Sequence, residues 1–369
     1  MSKAAELAAL IGSQSSLSNR NMIINGAMQV AQRGTSSTGI SSSGYRTVDR
    51  FSVSENASSI VVTESQSTDT PSGQGFANSL KWEVTTADTS VASAERFHFG
   101  QTIEAQNLQH LAYGTSSAKA ITLSFWVKSS VTGTYAVSIF KPDQTLRLLN
   151  KTYTVNVANT WEKKEITITG DTSGGGIDND NGAGFQFDWF LTAGSDYTTA
   201  STNQWEAWDG TKWAGGHNVN FGATVGNEFY ITGVQLEVGE QATPFEHRSY
   251  GDELRRCQRY YYRHADGGDA SSASVGTGAM YSSSALMCAV SFPVRMRATP
   301  TLDHLNSSNA YRFWRSANSD YFDNFNAFYD AHPLGGAMQA DNNISGTAGD
   351  GGRVVLGGSA AYIAFDAEL

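Results

Sequence analysis

Proline is scarce in this chain, 6 of 369 residues, and cysteine is scarcer still, with only Cys257 and Cys288. Two cysteines cannot staple a disulfide scaffold, so both are read as reduced, buried residues. Charged side chains make up only 16% of the sequence, and the formal net charge is -10. An acidic chain argues against nucleic acid or an anionic membrane as partner, because such binding needs cations to replace the counterions around phosphates. No hydrophobic run is long enough to span a bilayer, and Glu6 interrupts the short AAELAALI stretch that would have to act as a secretory signal. Synthesis in the cytoplasm, without membrane insertion, is expected. Catalytic signatures are missing too: there is no GxSxG, HExxH, P-loop or Cys-x-x-Cys, and the seven histidines are scattered. Paired carboxylates for glycosidic cleavage would escape this search, since the fold sets their spacing.

What the chain does have is 37 glycines and an aromatic content of 11%, spread among Ser and Thr. That mixture is typical of turn-rich β-structure. Strand patterns recur from Asn21 to about His247, among them Met22 to Val30, Ala120 to Lys128, Glu162 to Thr169, Gly184 to Leu191 and Glu228 to Val238. Ile121, Leu123, Phe125 and Val127 alternate cleanly with their neighbours. About ten strands separated by turn signals favour a two-sheet antiparallel sandwich. Gly233, in the middle of the last strand, marks a bulge. Ser249 and Asp252 then form a capping-box pattern, predicting a helix over 248–263 with Tyr250, Leu254, Cys257 and Tyr261 on one stripe. Arg255, Arg256, Arg259 and Arg263 give that helix a basic face, read as a solvated or subunit-pairing surface.

Residues 264–369 open with a flexible run, HADGGDASSAS, and continue as a second β-domain. At the other end, residues 2–11 form a short helical pattern with Leu7 and Ile11 on its apolar face, followed by a polar linker to residue 20. A helix this short is marginal alone, so its stripe needs a partner: either three copies pair into a bundle, or the helix docks on a larger particle. The expected organisation is therefore 1–20 attachment helix and linker, 21–247 sandwich, 248–263 hinge helix and 264–369 distal β-domain.

The most suggestive site is the loop NQWEAWDGTKWAGG, with Trp205, Trp208 and Trp213 among acidic and amide side chains. Trp faces stack on sugar rings while Asp, Glu and Asn bond hydroxyls, but the same residues suit a hairpin packed on its own sandwich. A second aromatic run, from Tyr311 and Trp314 to Tyr329, lies among Arg312, Arg315, Asp320 and Asp323, and suits either core packing or receptor contact. The oxygen-rich loop IDNDNG, with Asp178 and Asp180, is a weak calcium candidate that departs from the EF-hand pattern.

The run GVQLEVGEQATPFEHRSYGDELRRCQRYYYR resembles the hinge of tail-fibre and related receptor-binding proteins of tailed bacteriophages, especially phages of marine bacteria. NMIINGAMQVAQRGTS followed by YRTVDRFSV is similar to the opening strands of the jelly-roll module of such proteins, and ITLSFWVKSS with WEKKEITITGD to its inner strands. The resemblance implies an all-β chain, an antiparallel jelly roll built like a carbohydrate-binding module plus a C-terminal β-domain, assembled as a homotrimer. It also implies a place on the virion, contact with other phage tail or particle proteins through the N-terminus, and adsorption to a bacterial surface glycan without enzymatic activity. Two rivals stand beside it: a structural capsid or neck fibre subunit, and a glycan-degrading enzyme. No cofactor is required, although such jelly rolls often hold a structural Ca2+, for which Asn25 and Glu237 would be this chain's donors.

Overall fold

A computed structural model describes residues 19–316 and 318–369; Leu7 and Ile11 lie outside the described residues. The chain divides into two compact units, one ending at Glu253 and the other spanning Leu254–Leu369. Both are antiparallel β-structures, and among the described residues no helix is long and apolar enough to cross a membrane.

The first unit is a jelly-roll sandwich of two sheets. One sheet runs in the order Ser36–Ile40, Val61–Ser67, Ser79–Thr86, Glu228–Val238, Ile121–Ser129, Glu162–Ile168. The other runs Glu206–Ala207, Arg147–Val155, Gly133–Lys141, Ala183–Ala193, Arg96–Glu104, Ser52–Asn56, Gly44–Tyr45. Alternation decides which side chains meet between them: Ile121, Leu123, Phe125 and Val127 are all at 0% exposure, and Phe125 meets Tyr153 and Trp189 of the opposite sheet edge-on. Trp82 packs edge-on to Phe97 across the same core, with ring centroids 5.9 Å apart. Each such buried aromatic contributes roughly 1.5–3 kcal/mol of transfer free energy.

Glu228–Val238 is paired on both edges and therefore buried along most of its length. Its register slips between Thr232 and Gln235, at Gly233, whose φ of +63° and whose approach to the Phe76 ring, 2.6 Å from a would-be Cβ, exclude a side chain there.

Two expectations are corrected. Residues 22–30 are not a strand: Asn25 (φ +61°) and Met28 (φ +57°) turn the backbone, and the Asn25 amide donates to Val30 O (2.8 Å) and Asp49 O (3.0 Å) while its oxygen accepts from Val30 N. The hinge helix is also shorter than its stripe suggests, Tyr250–Gln258. Its cap forms, with Asp252 N donating to Ser249 Oγ at 3.2 Å and that hydroxyl donating to the Asp252 carboxylate at 2.6 Å. The helix ends because the tyrosine run prefers extended backbone: Tyr260 N bonds Cys257 O at 2.8 Å, and Tyr261–Asp266 becomes a strand paired with Tyr362–Asp366. Cys257 is buried and Leu254 half-buried, whereas Tyr250 is 57% exposed. Arg263 thus leaves the helical basic face and pairs with Asp266 at 2.9 Å.

The second unit has a three-stranded sheet, Tyr261–Asp266, Tyr362–Asp366, Thr301–His304, and a seven-stranded sheet. The latter runs Ser319–Phe322, Tyr311–Trp314, Gly351–Leu356, Ser274–Ser282, Ala285–Ser291, Gly335–Ala340, Ala327–His332. Tyr311, Phe313, Phe322, Leu286, Val354 and Phe365 fill one core between them.

Candidate functional site

The tryptophan loop packs on its own sandwich. Ala136, Leu148 and Phe190 point away from the main core on the outer face of the second sheet, and Tyr197, Trp213 and Ala214 cover them in a separate apolar cluster. Trp213 is 8% exposed, 5.3 Å from the Phe140 ring and 6.2 Å from Trp208, so burial removes it as a sugar platform. Trp208 is half-buried in the same cluster. Trp205 is half-buried against the main core; its indole N–H donates to Thr169 O at 2.7 Å and its ring stacks on Phe185. The hairpin alternative is the one these contacts describe.

Beside that cover, on the same sheet, lie two enclosed titratable groups, Asp188 (2% exposed) and His98 (4% exposed), with Oδ1 and Nε2 3.7 Å apart. Burial pushes the Asp188 carboxyl up to about 7 and the His98 ring down to about 3.

The four oxygen-donor candidates are all engaged by protein donors. Asn25 Oδ1 accepts from Val30 N at 3.0 Å, and Glu237 accepts from Thr243 N at 2.8 Å and Thr243 Oγ1 at 2.6 Å. Asp178 Oδ1 accepts from Gln144 Nε2 at 3.0 Å, and Asp180 Oδ1 from Gly182 N at 2.8 Å. Among the described residues no three His, Cys, Asp or Glu side chains come together as a metal site. A cation does sit in this region, and it belongs to the chain. The ammonium of Lys141, a residue at 0% exposure, donates to the carbonyls of Gly174 (2.7 Å), Gly175 (3.1 Å), Asp143 (3.2 Å), Thr145 (3.3 Å) and Gly176 (3.4 Å).

In the second unit, alternation along Tyr311–Trp314 separates core from surface. Tyr311, a candidate for glycan contact, is instead at 0% exposure, its hydroxyl donating to Tyr362 O at 2.8 Å and Leu305 O at 3.0 Å, so of the two readings left open for its run it takes the core one. Arg312 and Trp314 face the other way. Arg312 lies opposite Tyr321, and Trp314 opposite Arg353. The result is a ladder of cations and rings: Arg353 sits 4.5 Å and Arg312 4.9 Å from the Trp314 ring centre, and Arg312 is also 5.1 Å from that of Tyr321. Arg312 is further fixed by donating to Ser319 Oγ at 2.7 Å. Arg353 is exposed and Tyr321 is 43% exposed. The sequence reading named Trp314 but missed Arg353, which cross-strand pairing brings in from the far end of the chain.

Next to the ladder, an open polar pocket of about 640 Å3 is lined by Arg315, Asn318, Ser345, Thr347 and Asp350 among others. Arg315 is held between two carboxylates, with Nη1 3.2 Å from Asp350 Oδ2 and Nη2 on Asp320.

No family model and no curated protein matches this chain. Among solved structures, it is similar to the enzymatically active domain of tailspike protein 4 of bacteriophage CBA120, at 17% identity and a TM-score of 0.33. That match covers 60% of this chain and 22% of the tailspike chain, so this chain spans less than a quarter of that protein's length. It is also similar to the family 11 carbohydrate-binding module from Clostridium thermocellum in complex with a mixed-linked tetrasaccharide, at 11% identity and a TM-score of 0.28, covering 57% of this chain and 97% of that one. A third likeness is to the module TmCBM61 in complex with β-1,4-galactotriose, at 11% identity and a TM-score of 0.26, covering 60% and 100%. Each likeness is to part of the architecture alone.

Proposed function

We propose that this chain is an external appendage protein of a bacteriophage particle, a tail fibre or close equivalent, which adsorbs to bacterial surface glycan through the ladder face of its second unit. The observation that carries the reading is the Arg353, Trp314, Arg312, Tyr321 ladder. Tyr321, 43% exposed and held by Arg312, keeps ring surface on which a sugar face can settle with little loss of freedom, while Trp314 anchors the guanidinium groups of Arg312 and Arg353 that donate to hydroxyls. The ladder also places positive charge locally on a chain whose net charge is -10, so contact with a commonly anionic cell surface is eased at that face. The sequence resemblance to phage receptor-binding proteins supports the particle context.

Single sugar contacts are weak, so the reading includes three copies per fibre acting by avidity, with the apolar stripe of Leu7 and Ile11 as attachment to the particle. Light scattering should then give about three times the 39.6 kDa of one chain. The deciding experiment is adsorption of the purified chain to bacterial cells and to their extracted polysaccharide, comparing the parent with Trp314→Ala and Tyr321→Ala after thermal melts confirm folding. Adsorption should fall by about tenfold or more, since loss of one stacking contact is repeated in every copy. Variants that fold and adsorb like the parent would refute the ladder as receptor face. Polysaccharide chain length should stay unchanged; shortening would make the protein an enzyme, and a parent that adsorbs to nothing would make it a structural subunit.

A further inference from the structure

We infer that the pocket lined by Arg315 and Asp350 is a subsite for the vicinal hydroxyls of a neutral sugar, an inference that rests on the glycan reading above. Its volume of about 640 Å3 suits a sugar unit or two. Its chemistry is that of hydroxyl recognition. A hydroxyl both donates and accepts, so a diol can give protons to the Asp350 carboxylate while taking them from Arg315 or Asn318. Asp350 is available for this, its side chain being 43% exposed.

Charge selects the ligand class. The Arg315 guanidinium is already shared by two carboxylates, Asp320 and Asp350. A sugar acid would bring a third carboxylate to a cation that is already shared, whereas a neutral diol meets no such repulsion.

The site is also built in advance. Arg315 has a side chain only 10% exposed, and its Nε is buried without a hydrogen-bond partner. Gly346 lies directly on the guanidinium: a Cβ there would stand 2.2 Å from Nη1. The walls are tied down by backbone bonds, Arg315 N to Asn318 O (2.8 Å), Gly346 N to Ser283 O (3.0 Å) and Gly349 N to Met280 O (2.8 Å). Thr347 N fixes the Asp350 carboxylate at 3.1 Å. A group held this firmly presents its remaining polar atoms in one orientation, which is what a weak but selective sugar subsite needs.

The test uses the intact chain, with saturation-transfer NMR and calorimetry against the methyl glycosides of glucose, galactose and mannose, each neutral sugar being matched where possible by its uronic acid. At least one neutral glycoside should bind, and more tightly than its acid. Asp350→Asn should weaken that binding about tenfold, as loss of a charged hydrogen bond does, and if that variant fails to fold, Asn318→Ala, which removes the amide donor to the diol, should weaken it in the same direction, unchanged binding overturning the inference. Three results would overturn the inference: no neutral glycoside binds, the uronic acid binds equally well, or a folded Asp350→Asn binds like the parent. If free sugars fail while whole cells are still adsorbed, the subsite falls and the adsorption reading stands. If cells are not adsorbed either, the adsorption reading falls with it.

Discussion

Replacing Lys141 by Met tests whether the first unit is stabilised by an ammonium in the role of a structural cation. The substitution keeps the length of the side chain and removes its charge and its donors. Five carbonyl oxygens then lose their shared donor, of which the three at 2.7, 3.1 and 3.2 Å make hydrogen bonds of ordinary length. At roughly 1–1.5 kcal/mol for each of those three, the loss is about 3–5 kcal/mol, the range seen when one side of a buried charged network is removed. For a unit of this size that corresponds to a melting temperature about 10 °C lower. The assay is calorimetry of the parent and variant beside a control, Lys163→Met, whose exposed pair with Glu165 is worth less than about 1 kcal/mol. A Lys141→Met melt within the range of the control would refute the cage as a stabilising element. Lys141→Ala carries the reasoning one step further. It leaves a small oxygen-lined space with Asp143 and Asp171 nearby, so added Ca2+ should raise its melting temperature and leave that of the parent unchanged. A parent that is itself stabilised by Ca2+ would revive Asn25 and Glu237 as ligands.

Two further outcomes are expected. Asp188 has its pKa raised from 3.8 to about 7, so its contribution is present at low pH and lost as pH rises through that window; His98 is lowered from 6.5 to about 3, so its contribution is lost as pH falls. Between about 4 and 6.5 the two oppose one another and unfolding moves a proton from Asp188 to His98, whereas Asp188→Asn leaves His98 alone and stability should rise with pH across that range by up to about 1.4 kcal/mol per unit. Urea midpoints at a series of pH values measure this, and parallel curves for the two proteins would contradict it. Gly233→Ala should destabilise the first unit by about 1–3 kcal/mol, through left-handed strain and a clash with Phe76, and an unchanged urea midpoint would exclude both.

Much of the architecture was legible because sheet periodicity is local. The alternation at Ile121, Leu123, Phe125 and Val127 appears unchanged as 0% exposure, and the bulge at Gly233 is where the register slips. The errors have physical causes that sequence windows do not contain. Residues 22–30 carry strand-forming Ile, Met and Val, but the Asn25 amide reaches Val30 and Asp49 and holds the segment as a coil. The helical stripe through Tyr261 was cut short by a partner about a hundred residues away, the strand Tyr362–Asp366, which a 3.6-residue period cannot anticipate.

The candidate site was less legible, and the reason is general to β-proteins. A tryptophan in a loop has the same local sequence whether its ring covers an apolar sheet face or waits for a ligand. Ala136, Leu148 and Phe190, which decide the matter for Trp213, lie on three different strands. In a strand, by contrast, neighbours on one face are fixed once pairing is known, so Trp314 has Arg312 beside it by alternation along its own strand and acquires Arg353 by register. Arg312 could have been paired with Tyr321 from the short hairpin between them, since Trp314 to Ser319 is a turn signal flanked by aromatic strands. Arg353 could not, because it depends on Gly351–Leu356 lying next to Tyr311–Trp314 rather than elsewhere in a seven-stranded sheet. Composition therefore locates the aromatic material of this chain, and only strand order separates the rings that make the core from those left at the surface of the sheet.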